Sequence, residues 1–100
     1  MAQETSQTIL AWGDGVFGPI SDRDAYIERI KLELDELAHA MRAGDGDEIG
    51  REAADVVILL HRLAATHGKD LNHEVDLKMA TNRARRWQTN GSGVGRHIKE

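Results

Sequence analysis

Apolar residues at helical spacing, divided by one glycine, limit the possible folds of this chain more than any other feature. The first run is Ile27, Ile30, Leu34, Leu37 and Met41, and the second is Ile49, Ala53, Val56, Leu59, Leu60 and Leu63. Side chains three and four residues apart share one face of an α-helix. The sequence therefore predicts two long helices: the first ends at Gly44, where a tight turn begins, and the second ends at Gly68. The aspartates of Asp45-Gly46-Asp47 can cap the second helix.

The regions around this helical hairpin predict shorter elements. Before the hairpin, a turn is predicted over residues 13–19, and Ser21 is the predicted N-cap of the first long helix. After the hairpin, a third helix is predicted to begin at Asp70 or Asn72 and to run to about Trp87. No segment alternates with a period of two over a useful length, so a sheet is not expected. The predicted division is an N-terminal lead (1–20), a helical domain (21–88) and a glycine-rich flexible tail (89–100).

The composition excludes several classes of protein. The 100 residues suffice for a single domain, and the absence of cysteine excludes a disulfide framework and a thiolate metal site. No apolar run approaches the ~18 residues of a membrane helix, so no membrane partner is expected. The net charge of −4 is uneven: residues 1–77 carry 16 acidic and 7 basic residues, whereas residues 78–100 carry 1 acidic and 6 basic. A cation and an anion could therefore bind side by side.

The second helix predicts an oligomer. Residues 56–60 are five consecutive apolar residues, and a helix that is apolar on all sides is normally buried on all sides. Two long helices and a shorter one bury poorly as a monomer, because a small domain hides only a modest share of its surface. We therefore expect an all-α fold in which a helical hairpin plus a third helix completes a four-helix-type bundle by homo-oligomerisation, as a dimer or tetramer.

Two pairs of acidic residues flank the apolar stripes. Glu33 and Glu36 lie three apart on the first long helix, and Glu52 and Asp55 lie three apart on the second. Residues three apart lie within ~60° of each other on a helix. Glu36 and Glu52 each stand eight residues from Gly44, and Glu33 and Asp55 each stand eleven from it. An antiparallel hairpin would therefore bring the two pairs together at the same height.

Four carboxylates at close range need a cation to compensate them. Because the ligands are oxygens and the histidines lack zinc spacing, the expected ion is Mg²⁺, with Mn²⁺ as a possible substitute. An ordinary solvated surface would explain any one of these acids better than a metal site. Two pairs at the same height beside the core favour the metal site.

Three motifs in order resemble the MazG-like all-α nucleoside triphosphate pyrophosphohydrolases. They are ExxE at 33–36, ExxD at 52–55 and KxxxN at 78–82, and the resemblance covers about residues 21–87. Leu32 stands where many members have a further glutamate. The resemblance implies Mg²⁺-dependent hydrolysis of (d)NTP to (d)NMP and pyrophosphate, which controls or cleanses a nucleotide pool. It also implies that residues 21–88 are the catalytic domain.

The resemblance also implies roles for residues outside the acidic pairs. Lys78 and Asn82 would hold the triphosphate, and Arg85, on the same helical face, is positioned to assist. Within the acidic pairs, our own choice for the carboxylate that takes a proton from the attacking water is Glu36. Resemblance in the surroundings of Trp12–Phe17 and Arg85–Trp87, and no base-reading contact, implies a purine dNTP such as dGTP or dATP. The ring of Trp12 can stack on a base, although packing in the core or at an oligomer interface explains it equally well.

Two other classes of function stay open. Arg83, Arg85 and Arg86 could serve a nucleic-acid-binding or regulatory helical module without catalysis, but the acidic body would repel a phosphate backbone. The chain could also be a structural oligomerisation domain that binds no metal. The expected location is the cytoplasm, or the host cytoplasm if the protein is viral.

Overall fold

The computed structural model describes residues 3–99, which form four helices and one small sheet. The helices are α1 (Ser6–Phe17), α2 (Arg23–Ala43), α3 (Gly46–Thr66) and α4 (Leu71–Ala84), and the strands are β1 (Trp87–Thr89) and β2 (Gly95–His97). The predicted all-α fold class is confirmed, because the sheet is only two strands of three residues each.

Helices α2 and α3 form the predicted antiparallel hairpin. Gly44 adopts a left-handed conformation (φ 71°), which a glycine reaches without strain, and its N–H donates to the carbonyls of Ala40 and Met41. Asp45 then caps α3 by accepting hydrogen bonds from the backbone of Asp47 and Glu48. The predicted cap of α2 at Ser21 is wrong by one residue: Asp22 accepts from the Ala25 N–H at 3.0 Å.

Helix α1 runs through Gly13 and Gly15, where the sequence predicted a turn. The reason is a close approach to α3: a Cβ on Gly13 would lie 2.5 Å from Nε of the buried Arg62. Glycine therefore serves here to admit a side chain and not to break the helix. Arg62 Nη2 also donates to Asp14 Oδ1 at 2.9 Å, which joins the end of α1 to α3.

A buried polar cluster joins the starts of α1 and α4 to α3. Ser6 N donates to Asp70 Oδ1 at 3.0 Å, Leu71 N donates to Ser6 Oγ at 2.7 Å, and Ser6 Oγ lies 2.8 Å from His61 Nδ1. The backbone N–H of Ser6 holds the pKa of Asp70 below its ordinary value. The residues predicted as a lead therefore contribute a helix that packs against the hairpin.

The C-terminal region differs from its prediction. Helix α4 ends at Ala84, three residues before Trp87. Strands β1 and β2 then form an antiparallel sheet in which Trp87 lies opposite His97 and Gln88 lies opposite Arg96. The expectation of no sheet was therefore wrong, because three-residue strands are too short for an alternating pattern to be recognised. Part of the segment predicted as a flexible tail lies in β2. The three-part division of the chain otherwise stays a prediction.

The apolar core lies along α3 and is small. The buried apolar residues are Ile9, Ile30, Ala40 and Ala65, whereas none of the 14 residues of α4 is buried. The radius of gyration is 16.0 Å, against about 13 Å for a compact domain of this length. Among residues 3–99, no helix is long and apolar enough to cross a membrane.

Candidate metal and nucleotide site

Three of the four predicted acids meet between α2 and α3. One carboxylate oxygen from each of Glu33, Glu36 and Glu52 lies within 4.8 Å of the other two. Asp55, the fourth, is exposed and lies outside this group of three, although its charge acts on Glu52. We call Glu33, Glu36 and Glu52 the acidic cluster.

The acidic cluster contains oxygens that are shielded from solvent and lack a partner. Glu33 is only 4% exposed, and Oε2 of Glu33 and Oε2 of Glu52 accept no hydrogen bond from the part of the chain that the structure describes. Arg29, one turn earlier on α2, forms an ion pair with the other oxygen of Glu33, Oε1. An unsatisfied buried carboxylate oxygen is costly. A hard divalent cation would satisfy both oxygens, so these residues fit a Mg²⁺ or Mn²⁺ site.

The cluster perturbs the titration of Glu52. Burial raises the pKa of Glu52 from 4.5 to about 7, assisted by its hydrogen bond to Glu48 and by the nearby charge of Glu36. For Glu48, the pKa is lowered, first by its hydrogen bond to Arg51 and then by that to Glu52. Without a cation, the cluster therefore retains a proton that isolated glutamates would have lost.

This titration predicts how the stability of the metal-free protein changes with pH. The unfolded chain loses the Glu52 proton near the ordinary pKa of 4.5, whereas the folded chain keeps it to about 7. The folded state therefore binds more protons between these values, and its stability falls as the pH rises from 4.5 to 7 and then levels off. Urea unfolding across this range, with EDTA present, should show this fall in wild type relative to E52Q. A constant difference between the two proteins would contradict the assigned pKa.

A groove of about 420 Å³ opens beside the acidic cluster. Its lining residues are Leu32, Asp35, Glu36, His39, Ala40, Glu48 and Glu52. Glu48 was missed by the sequence analysis, although it stands four residues before Glu52 and therefore on the same side of α3. Leu32, at the position of the further glutamate in many MazG-like proteins, also lines this groove.

Two of the predicted triphosphate residues, Lys78 and Arg85, line grooves other than the one beside the acidic cluster. Lys78 lines a groove of about 440 Å³ formed entirely by α4 residues, and Arg85 lines another beside Arg86 and the second strand. Oδ1 of Asn82 is shielded and accepts no hydrogen bond from the described residues. Neither groove contains an acid of the cluster. The grooves that Lys78 and Arg85 line are therefore distinct from the groove beside the acidic cluster.

Trp12 also lies apart from the acidic cluster. It is 59% exposed and packs edge-on against Phe17, with ring centroids 5.7 Å apart. It borders an apolar groove of about 510 Å³ between α1 and α3, whose other lining residues are Glu4, Ile9, Ala54, Val57, Ile58 and His61. Most of the side chains that line this groove are apolar.

Comparison with known proteins identifies the family. No family model matches the chain. The chain is 39% identical over 72 residues, 72% of its length, to the dATP/dGTP diphosphohydrolase of cyanophage S-2L, and it spans 65% of that relative's length. It is also similar to a solved structure, the cyanophage S-2L MazG-like pyrophosphohydrolase bound to dGDP and three catalytic Mn²⁺ ions per active site. That similarity has a TM-score of 0.69 and 34% identity over 94% of this chain and 93% of the other.

The chain belongs to the MazG-like pyrophosphohydrolases. The resemblance read from the three sequence motifs is therefore confirmed. Both glutamates of the ExxE motif in this MazG-like chain, Glu33 and Glu36, lie in the acidic cluster. Of the ExxD motif, only the first residue, Glu52, joins them there. Arg29 and Glu48 contact the cluster but stand outside these motifs, so the resemblance gave no signal for them.

Proposed function

We propose that this protein hydrolyses purine deoxynucleoside triphosphates between the α- and β-phosphates, releasing pyrophosphate. The observation that carries the proposal is the acidic cluster with its two shielded, unpartnered oxygens. The similar cyanophage proteins support the substrate class, since one is a dATP/dGTP diphosphohydrolase and the other binds dGDP. Such an enzyme would control or cleanse a nucleotide pool in the cytoplasm, or in the host cytoplasm if the protein is viral.

The acidic cluster would hold the divalent cation. Glu33, Glu36 and Glu52 would supply carboxylate oxygens, and Asp55 would join them if its exposed side chain turns toward the groove. We propose Mg²⁺ as the ion, with Mn²⁺ as a substitute, because both prefer oxygen ligands. When bound, the cation supplies Lewis-acid polarisation of the phosphate and compensates the charge of the leaving pyrophosphate.

The protein's own residues would handle the proton and the substrate. Glu36 faces the groove and is exposed, so its carboxylate can take a proton from the attacking water. Lys78, Asn82 and Arg85 would hold the triphosphate, because their charges and amide complement its oxygens. Trp12 would stack on the base.

A homo-oligomer, a dimer or tetramer, would supply what one chain lacks. Ile27, Leu34 and Met41 stand seven residues apart on α2 and are 43%, 46% and 63% exposed. Val57 and Leu60 of α3 are 46% and 37% exposed. These exposed apolar side chains would serve as an association surface. Association through it would allow α4 of one copy to approach the acidic cluster of another, where the +5 charge of residues 78–100 complements the acids.

A panel of nucleotides tests the proposed reaction. Incubation with Mg²⁺ and each dNTP should release pyrophosphate and a nucleoside monophosphate, fastest with dATP or dGTP. Orthophosphate as the initial product would contradict the assignment, because it indicates cleavage at the γ-phosphate. The alternative function, a nucleic-acid-binding module, instead predicts a salt-dependent gel shift without nucleotide hydrolysis.

A further inference from the structure

Arg29 connects the solvent-exposed surface of α2 to the acidic cluster. Its Nη2 pairs with Oε1 of Glu33 one helical turn later, and the two side chains differ sharply in burial: 58% exposed for Arg29 and 6% for Glu33. A guanidinium is always charged and presents its donors in a fixed plane. The contact is therefore unlike an ordinary surface ion pair, because one partner is a buried carboxylate.

The two carboxylate oxygens of Glu33 have different surroundings. Oε1 accepts from Arg29, whereas Oε2 is shielded and accepts no hydrogen bond from the described residues. Glu33 also offers an oxygen that lies within 4.8 Å of oxygens of Glu36 and Glu52. With Oε1 held on the Arg29 side, Oε2 is the oxygen left for a ligand.

We propose that Arg29 is a positioning residue that fixes the Glu33 carboxylate so that Oε2 serves as a ligand of the divalent cation. This inference rests on the proposed function, since it assumes that the acidic cluster binds metal. Groups that hydrogen-bond a metal ligand from outside the coordination sphere fix its orientation. Arg29 lies before the first family motif, and its role comes from the contact alone.

Two effects of Arg29 on metal binding oppose each other. Its positive charge repels a cation, but much of the arginine is exposed, and ions in solution screen such a charge over a Debye length of about 8 Å at physiological salt. Its hydrogen bond removes the rotational freedom of a buried ligand, which solvent does not replace. We expect orientation to dominate, so loss of the arginine weakens cation binding.

Calorimetric titration of Mn²⁺ into the nucleotide-free protein at physiological salt tests this role. R29A and R29M, the second of which keeps the side-chain stem, should both weaken Mn²⁺ binding by about 10- to 100-fold. R29K, which can still form the one-turn ion pair, should bind with intermediate affinity. K31A is the matched control, because Lys31 pairs with the exposed Glu28 on the same helix; its Mn²⁺ affinity should equal that of wild type.

The outcomes separate this role from the proposed function. If wild type and K31A bind Mn²⁺ and the folded R29A and R29M variants bind equally well or more tightly, the positioning role of Arg29 is overturned. If wild type itself binds no Mn²⁺, the metal site and the proposed function are overturned together with it. Circular dichroism establishes that each variant is folded.

Discussion

Replacing Glu52 by Gln should abolish dNTP hydrolysis while leaving the helices intact. Glu52 is the α3 member of the acidic cluster, and its shielded Oε2 lacks a partner. Glutamine keeps the shape of the side chain but removes the negative charge that a divalent cation requires. Losing about 4 kcal/mol of transition-state stabilisation corresponds to a rate roughly 10³-fold lower. Pyrophosphate release measures the loss, and circular dichroism measures the helix content.

A matched variant separates the loss of a ligand from a general loss of negative charge. Glu28 on α2 is exposed and pairs with Lys31 outside the acidic cluster, so E28Q should retain wild-type activity. Normal turnover by E52Q would remove Glu52 from the metal site. Equal loss in E28Q and E52Q would attribute the effect to the overall charge of the protein.

Mixing two inactive variants should restore activity if the site is shared between copies. Lys78 and the acidic cluster lie on separate grooves of one chain, and α4 buries none of its residues. E52Q and K78A should each be inactive in dNTP hydrolysis. After co-expression, a mixed pair of E52Q and K78A subunits contains one site with both groups intact. Random assembly then restores about one quarter of the wild-type activity.

A second mixture supplies the control. Glu33 and Glu52 lie in the same acidic cluster, so co-expressed E33Q and E52Q should stay inactive in any arrangement of copies. No recovery in the mixture of E52Q and K78A, with mixed oligomers demonstrated by mass spectrometry, would mean that each chain uses its own α4. Purified wild type that stays monomeric would contradict the shared site directly.

Local patterns predicted much of the fold. The hairpin follows from apolar spacing and from Gly44, because a helix period and a left-handed turn are set by neighbouring residues. The turn predicted over residues 13–19 is wrong for residues 13–17, which are helical, and the reason is not local. Gly13 and Gly15 weaken a helix intrinsically, but the approach of Arg62 from α3 uses the missing Cβ of Gly13. That contact joins residues 49 positions apart and leaves no mark in the local pattern.

The candidate site was predicted in outline. Glu36 and Glu52, which stand at equal distances from Gly44, meet in the acidic cluster, and Glu33 joins them from one turn earlier on α2. Asp55 lies outside the acidic cluster, while Glu48, one turn earlier on α3, helps to raise the pKa of Glu52. Helical register gives the height and approximate face of a side chain. It does not give the rotamer that decides which oxygens come within a few ångströms of each other.

The sequence by itself determined a helical hairpin with acids on facing positions, because both depend on local periodicity and on one turn. Only the tertiary structure decided which acids meet, that Arg29 holds Oε1 of Glu33, and that Lys78 lines a different groove from the acidic cluster. These outcomes depend on side-chain conformations and on the path of α4 after the hairpin. Their physical causes are contacts between distant segments, such as the cluster of Ser6, His61 and Asp70 that fixes where α4 begins.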